Sequence, residues 1–161
     1  MDAVHLHLIL NHLPVIGTPF TLALLLVALL RNSGELKRVH LGFVVLITLL
    51  TIPVYLSGER AEEPVMDLPE VETAFIDHHE DAASWAFGGQ IALGLAALGG
   101  LVLTRKGAVL PKWCVGAVLV LNLAVCGMMI RTAYLGGQIR HSEIRPTTQP
   151  PPASSSARDV P

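Results

Sequence analysis

Four long apolar runs parted by short polar stretches make up most of the chain, over about 11–30, 39–56, 85–104 and 113–134. Each is close to the ~20 residues an α-helix needs to cross ~30 Å of hydrocarbon. The runs are apolar on every face, with neither a 3.6-residue amphipathic stripe nor the alternation of a strand. Lipid offers a bare peptide group no hydrogen bond, so only helices or closed barrels span it. The pattern predicts an all-α, integral membrane four-helix bundle over residues 1–145. Residues 146–161 are Pro, Ser, Thr and Gln with almost nothing apolar and read as a disordered tail. No internal repeat of solenoid length is evident.

Charge sets the orientation. The linker after the first run carries Arg31, Lys37 and Arg38 against Glu35, and the linker after the third carries Arg105, Lys106 and Lys112 without an acid. The middle linker instead holds nine acidic residues between Glu59 and Asp81, against Arg60 alone. Short basic loops stay cytoplasmic, so both termini and the acidic linker are expected on the periplasmic side of a bacterial inner membrane. The first run lacks a basic leader and a cleavage site and reads as a retained span. Tyr55, Trp85, Tyr134 and Trp113 fall where interfacial rings sit. Gly88, Ala92, Ala96 and Gly100 form a small-residue stripe that predicts close packing of the third helix. Pro14 and Pro19 interrupt the first run, and Pro14 leaves open whether 5–13 continue the helix or form an interfacial segment.

Composition agrees with the pattern. Of 161 residues, 52% are apolar and only 15% charged, too few charges to cover a soluble domain. A net charge of −2 offers no basic surface for nucleic acid. Two cysteines cannot build a disulfide scaffold. Cys114 and Cys126 share one helix ~18 Å apart and read as small core residues. No nucleophile–base pair, phosphate loop or zinc-protease motif supports hydrolysis or nucleotide-driven chemistry.

Seven histidines among so few polar residues carry the chemical information. His5, His7, His12, His78, His79 and His141 fall in the periplasmic half, and only His40 lies at the other end, where it reads as an interfacial residue. Two imidazoles from facing helices of a bundle can hold a haem iron axially, and no Cys-x-x-Cys-His permits covalent attachment. His12 and His79 are expected as the first pair, with His7 (or His5) and His141 as a second. Arg131, Arg140 and Arg145 lie where haem propionates need cations.

The opening His5-Leu-His7-Leu-Ile-Leu-Asn-His12-Leu-Pro14-Val-Ile-Gly17 and the closing Leu135-Gly-Gly-Gln-Ile-Arg-His141-Ser-Glu143-Ile-Arg145 resemble a bacterial family of four-helix membrane proteins. In that family His79-Glu80 looks like part of the motif, which points to His79 over His78. More distantly the chain is similar to a transmembrane family of unknown function with a His-x4-His-aromatic-Pro start and a Gly-Gly…His finish. Here Leu13 stands in the aromatic position, and His141 follows Gly137 by four residues. The resemblance implies histidine-held haem b and no established activity.

Three functions remain open at this level. The first is a membrane b-type cytochrome with one or two haems, carrying electrons between a quinone or membrane partner and a periplasmic cytochrome. The second is a site for bare copper, zinc or iron built from histidines with Glu80 and Glu143. The third is an accessory subunit of a larger membrane redox complex, without a cofactor. An electron carrier or complex subunit fits better than a stand-alone enzyme.

Overall fold

The computed structural model describes residues 2–66 and 71–145. Five α-helices follow in order: α1 (Ala3–Leu10), α2 (His12–Leu30), α3 (Gly34–Met66), α4 (Thr73–Leu103) and α5 (Lys112–Arg140). Short 3₁₀ turns at Arg105–Gly107 and Ser142–Ile144 complete the described residues, which include no strand. Helices α1 and α2 together act as one rod, so four helices are long and apolar enough to cross a membrane. The predicted tail at 146–161 lies outside the described residues.

The break between α1 and α2 has a covalent cause. Pro14 has no N–H to return to the carbonyl of Leu10, so the hydrogen-bond ladder lapses there. Asn11 nevertheless keeps helical torsions, φ −58° and ψ −27°. The chain before Pro14 therefore continues the helix and is not a separate interfacial segment.

The helices outrun the apolar stretches. Glu59, Glu62 and Glu63 lie in α3, and Asp77, Glu80 and Asp81 lie in α4. The acidic stretch predicted as a linker is thus largely two helical extensions. Glu, Ala, Leu and Met propagate a helix without needing an apolar face, so hydropathy marks where a helix is apolar and not where it ends.

Around the bundle α2 packs on α3, α3 on α4, α4 on α5 and α5 back on α2. One end carries α1, Met66, Thr73 and Arg140, and with them His7 and His79; it is called here the histidine end. The other carries the basic linkers. Leu25, Leu41, Val44, Leu93, Ala97, Val118 and Val125 fill the core, and Cys114 and Cys126 are buried thiols within it.

Helices α3 and α4 approach closely at Gly94, where an added Cβ would stand 2.5 Å from Thr48 Oγ1. Only the lower half of the expected stripe is used: Gly100 is buried and Ala96 packs on the core, whereas Gly88 and Ala92 are exposed. Each four-residue step turns an extra ~40° around the axis, so successive steps walk off the buried face. The face that is buried runs through Ala82, Ala86, Gln90, Leu93, Gly94, Ala97 and Gly100.

Two buried amides tie the four rods together. Thr18 Oγ1 donates to Gln90 Oε1 (3.2 Å), and Gln90 Nε2 donates to Thr48 Oγ1 (2.8 Å), joining α2, α4 and α3. Asn122 Nδ2 donates to Thr21 Oγ1 (3.1 Å), joining α5 to α2. Such bonds hold helices in an apolar solvent that gives them no hydrophobic drive to associate. Trp85 and Trp113 are 74% and 71% exposed.

Asp2 caps α1. Its Oδ1 accepts from the His5 backbone N–H at 2.8 Å and lies 3.1 Å from the His5 ring. The backbone bond first, and the ring second, hold the Asp2 carboxyl below its ordinary 3.8. A depressed carboxyl contributes stability above its unfolded value and loses it as pH falls through the folded one. Amide exchange of α1 should therefore speed up as pH falls below about 3.8, while exchange in α5 follows only the intrinsic rate.

Candidate functional site

Three of the seven imidazoles turn into the bundle, and all three do it in the same way. His7 Nδ1 donates to the carbonyl of Val54 on α3 at 3.0 Å. His79 Nδ1 donates to the carbonyl of Thr132 on α5 at 3.0 Å. His40 Nδ1 donates to the carbonyl of Thr21 on α2 at 2.9 Å. A carbonyl only accepts, so each bond places the ring proton on Nδ1 and leaves Nε2 as the nitrogen with a lone pair. That is the tautomer and the second contact typical of a histidine that ligates through Nε2.

His7 and His79 stand at one height. Helices α2 and α4 run in the same direction and are cross-tied by Thr18 and Gln90. His7 lies about three turns above Thr18, and His79 the same distance above Gln90.

Each ring is seated by a glycine four residues beyond the carbonyl it bonds. A Cβ at Gly58 would lie 3.0 Å from His7 Cε1, and one at Gly136 would lie 2.9 Å from His79 Cε1. In a helix, the side chain at i+4 flanks the carbonyl of residue i. Glycine there clears the way for an imidazole edge.

The arrangement repeats lower down. Ten residues after each histidine comes another glycine, Gly17 and Gly89, facing Ile47 and Val125 respectively. Ile47 and Val125 each lie seven residues before the carbonyl that its own hairpin offers to histidine. The two helical hairpins therefore build matching half-sites. This internal repeat is one of geometry, with too few shared side chains for the sequence to display it.

The other expected residues fall elsewhere. His12, expected opposite His79, is exposed on the bundle surface, and His7 takes the position level with His79. His5 is exposed against Asp2. His141 is exposed and pairs with Glu143 at 2.8 Å. His78 is exposed, whereas His79 is half-buried. Arg131 and Arg140 are exposed on α5. Arg145 is engaged: it bonds the Gln138 and Ile139 carbonyls and Glu72, and lies over the Phe75 ring at 4.5 Å. It thereby ties the end of α5 to the start of α4.

His40 is the residue that sequence reasoning misplaced. It is 1% exposed, and its Nε2 is sealed in the core without a partner among the described residues. Its neighbours Lys37 and Arg38 suggested an interface, and only helix phase reveals that it points inward. Gly58 and Gly136, by contrast, carried a readable signal, as glycines inside otherwise good helical runs.

Comparison with family models, with curated proteins and with solved structures finds no match to this chain.

Proposed function

We propose that this chain is a small multi-pass b-type cytochrome that binds one haem between His7 and His79. The observation that carries the reading is the matched pair itself. Two imidazoles lie level on separate helices, each with Nδ1–H held by a carbonyl, Nε2 left for a ligand, and a glycine seat. A porphyrin supplies four nitrogens and asks the protein for only axial ligands. A bare copper, zinc or iron ion asks for three or four donors. Among the described residues no three His, Cys, Asp or Glu side chains gather to hold one.

His7 and His79 would be the residues that hold such a group, and a haem held by two imidazoles would supply electron transfer rather than oxygen chemistry. Arg131 and Arg140, exposed on α5, would be the residues to offer cations to propionates. The basic linkers favour a bacterial inner-membrane protein with its histidine end toward the periplasm. There the acidic extensions of α3 and α4 suit a basic soluble cytochrome, with a quinone or a larger membrane redox complex as the other partner. The resemblance of the two end motifs to a histidine-bearing membrane family points the same way.

An absorption spectrum of the purified protein tests the reading. The expected result is a Soret band, a reduced α-band and about one pyridine-extractable haem per chain. Protein reconstituted with haem that still shows no Soret band would end it. Two haems per chain would bring His12 and His141 back as ligands.

A further inference from the structure

At the histidine end α1 and α3 leave between them a partly open cleft of about 300 Å³. Asp2 and Leu6 line it from α1 and its cap, and Pro53, Leu56, Ser57 and Arg60 line it from α3. The volume is that of a small ligand site. Both helices grade it in the same sense. Helix α3 rises from Pro53 and Leu56 to Arg60, while α1 descends from Asp2 to Leu6. The apolar residues therefore lie deeper in the bundle and the charged ones further out. Asp2 and Arg60 are exposed, and Leu6 and Leu56 are 38% and 48% exposed, so an occupant can reach them from outside.

The depth is that of lipid headgroups. Tyr55 Oη and Ser84 Oγ share a hydrogen bond at 3.1 Å, which sets Tyr55 level with the neighbouring Trp85. Such rings collect where hydrocarbon gives way to headgroups. Arg60 stands five residues, or ~7.5 Å, beyond Tyr55 along α3, inside a headgroup layer roughly 5–8 Å deep.

The polar groups of the cleft define what fits. Ser57 Oγ already donates to the Val54 carbonyl at 2.9 Å. Among the described residues Arg60 is in no ion pair, and Asp2 pairs with the His5 ring only. A carboxylate accepts more bonds than Asp2 receives there. Recognition thus falls to one cation and one anion beside an apolar wall. A purely anionic headgroup would meet Asp2 as a like charge. A headgroup with both a phosphate and an N–H-bearing ammonium complements the two together, whereas a trimethylated ammonium has no proton to donate.

We propose that this cleft holds a phospholipid with a primary-ammonium headgroup, its phosphate on Arg60, its ammonium on Asp2 and an acyl chain along Leu6, Pro53 and Leu56. The proposal needs the chain to sit in a bilayer and is independent of haem.

Native mass spectrometry of the full chain in dodecyl maltoside tests it, by titration with the dioleoyl forms of phosphatidylethanolamine, phosphatidylcholine and phosphatidylglycerol. One phosphatidylethanolamine per chain is expected to bind about fivefold more tightly than either other lipid, the worth of one exposed charge pair. Asp2→Asn keeps a capping side chain and should erase the preference over phosphatidylcholine without changing phosphatidylcholine binding. Arg60→Gln should weaken both lipids alike. Equal affinity of the native protein for phosphatidylethanolamine and phosphatidylcholine, tighter binding of phosphatidylglycerol, or no lipid retained would each overturn the proposal. These outcomes are read on the native protein, whatever the variants do. Free O-phosphoethanolamine at the lipid's own concentration should displace nothing; displacement would assign the cleft to a soluble zwitterion instead.

Discussion

Purified His7→Ala and His79→Ala variants are each expected to lose haem, whereas His12→Ala and His78→Ala keep it. Each of the first two removes an imidazole that faces the core with its Nδ1–H already committed to a carbonyl. The other two remove rings on the exposed surface. Loss of a second contact to a ligating histidine weakens binding by about 10–100-fold, and loss of the ligand itself should exceed that. The glycine seats give an intermediate case. A Cβ at residue 136 would stand 3.0 Å from His79 Nδ1, and one at residue 58 would stand 3.1 Å from His7 Nδ1. An imidazole can swing on its two torsions, so Gly136→Ala and Gly58→Ala should fold but surrender the Nδ1–carbonyl bond. Retention then falls by about 10–100-fold, equally for the two if the half-sites are equivalent. Haem titration of the six variants is the measurement. Equal loss at His12 would mean general misfolding, and full retention in His79→Ala would remove His79 from the site.

Gly94→Ala is expected to be the most damaging single-methyl change in the bundle. The new Cβ would lie 2.5, 2.6 and 2.8 Å from Thr48 Oγ1, Cγ2 and Cβ. Thr48 cannot turn aside, because it is β-branched, buried, and bonded to Val44 and Gln90. The helices must separate or the Gln90 tie must break, at a cost of about 1–3 kcal/mol. Gly88→Ala supplies the contrast, since its Cβ would meet nothing within 4 Å among the described residues. There the substitution should gain up to ~1 kcal/mol of helix propensity. Unfolding in mixed detergent micelles with rising SDS should move the two midpoints in opposite directions. Equal midpoints would mean that α3 and α4 do not approach each other at Gly94.

Much of the architecture is legible without coordinates. An apolar run of some twenty residues has only one local solution in lipid, so the number and centres of the helices follow from hydropathy. Their ends do not. Glu59 to Met66 and Thr73 to Asp81 continue α3 and α4 beyond the apolar zone. The clustering of histidines toward one end also follows from linear order. Which of them face inward does not, because a helix that is apolar on every side gives no phase. The small-residue stripe at Gly88 and Ala92 misled for the same reason, and so did the polar neighbours of His40.

What the chain determines by itself is an inventory: four rods, their alternating directions, and six imidazoles toward one end. The selection of His7 and His79 belongs to the tertiary structure. Each imidazole is oriented by a carbonyl and a glycine that belong to a different helix, about fifty residues away in the chain. Those partners act only once the hairpins are closed and their relative rotation is set by contacts such as Gly94 on Thr48. Rotation about a helix axis costs an isolated apolar rod nothing, so only packing against its neighbours can choose the face that looks inward.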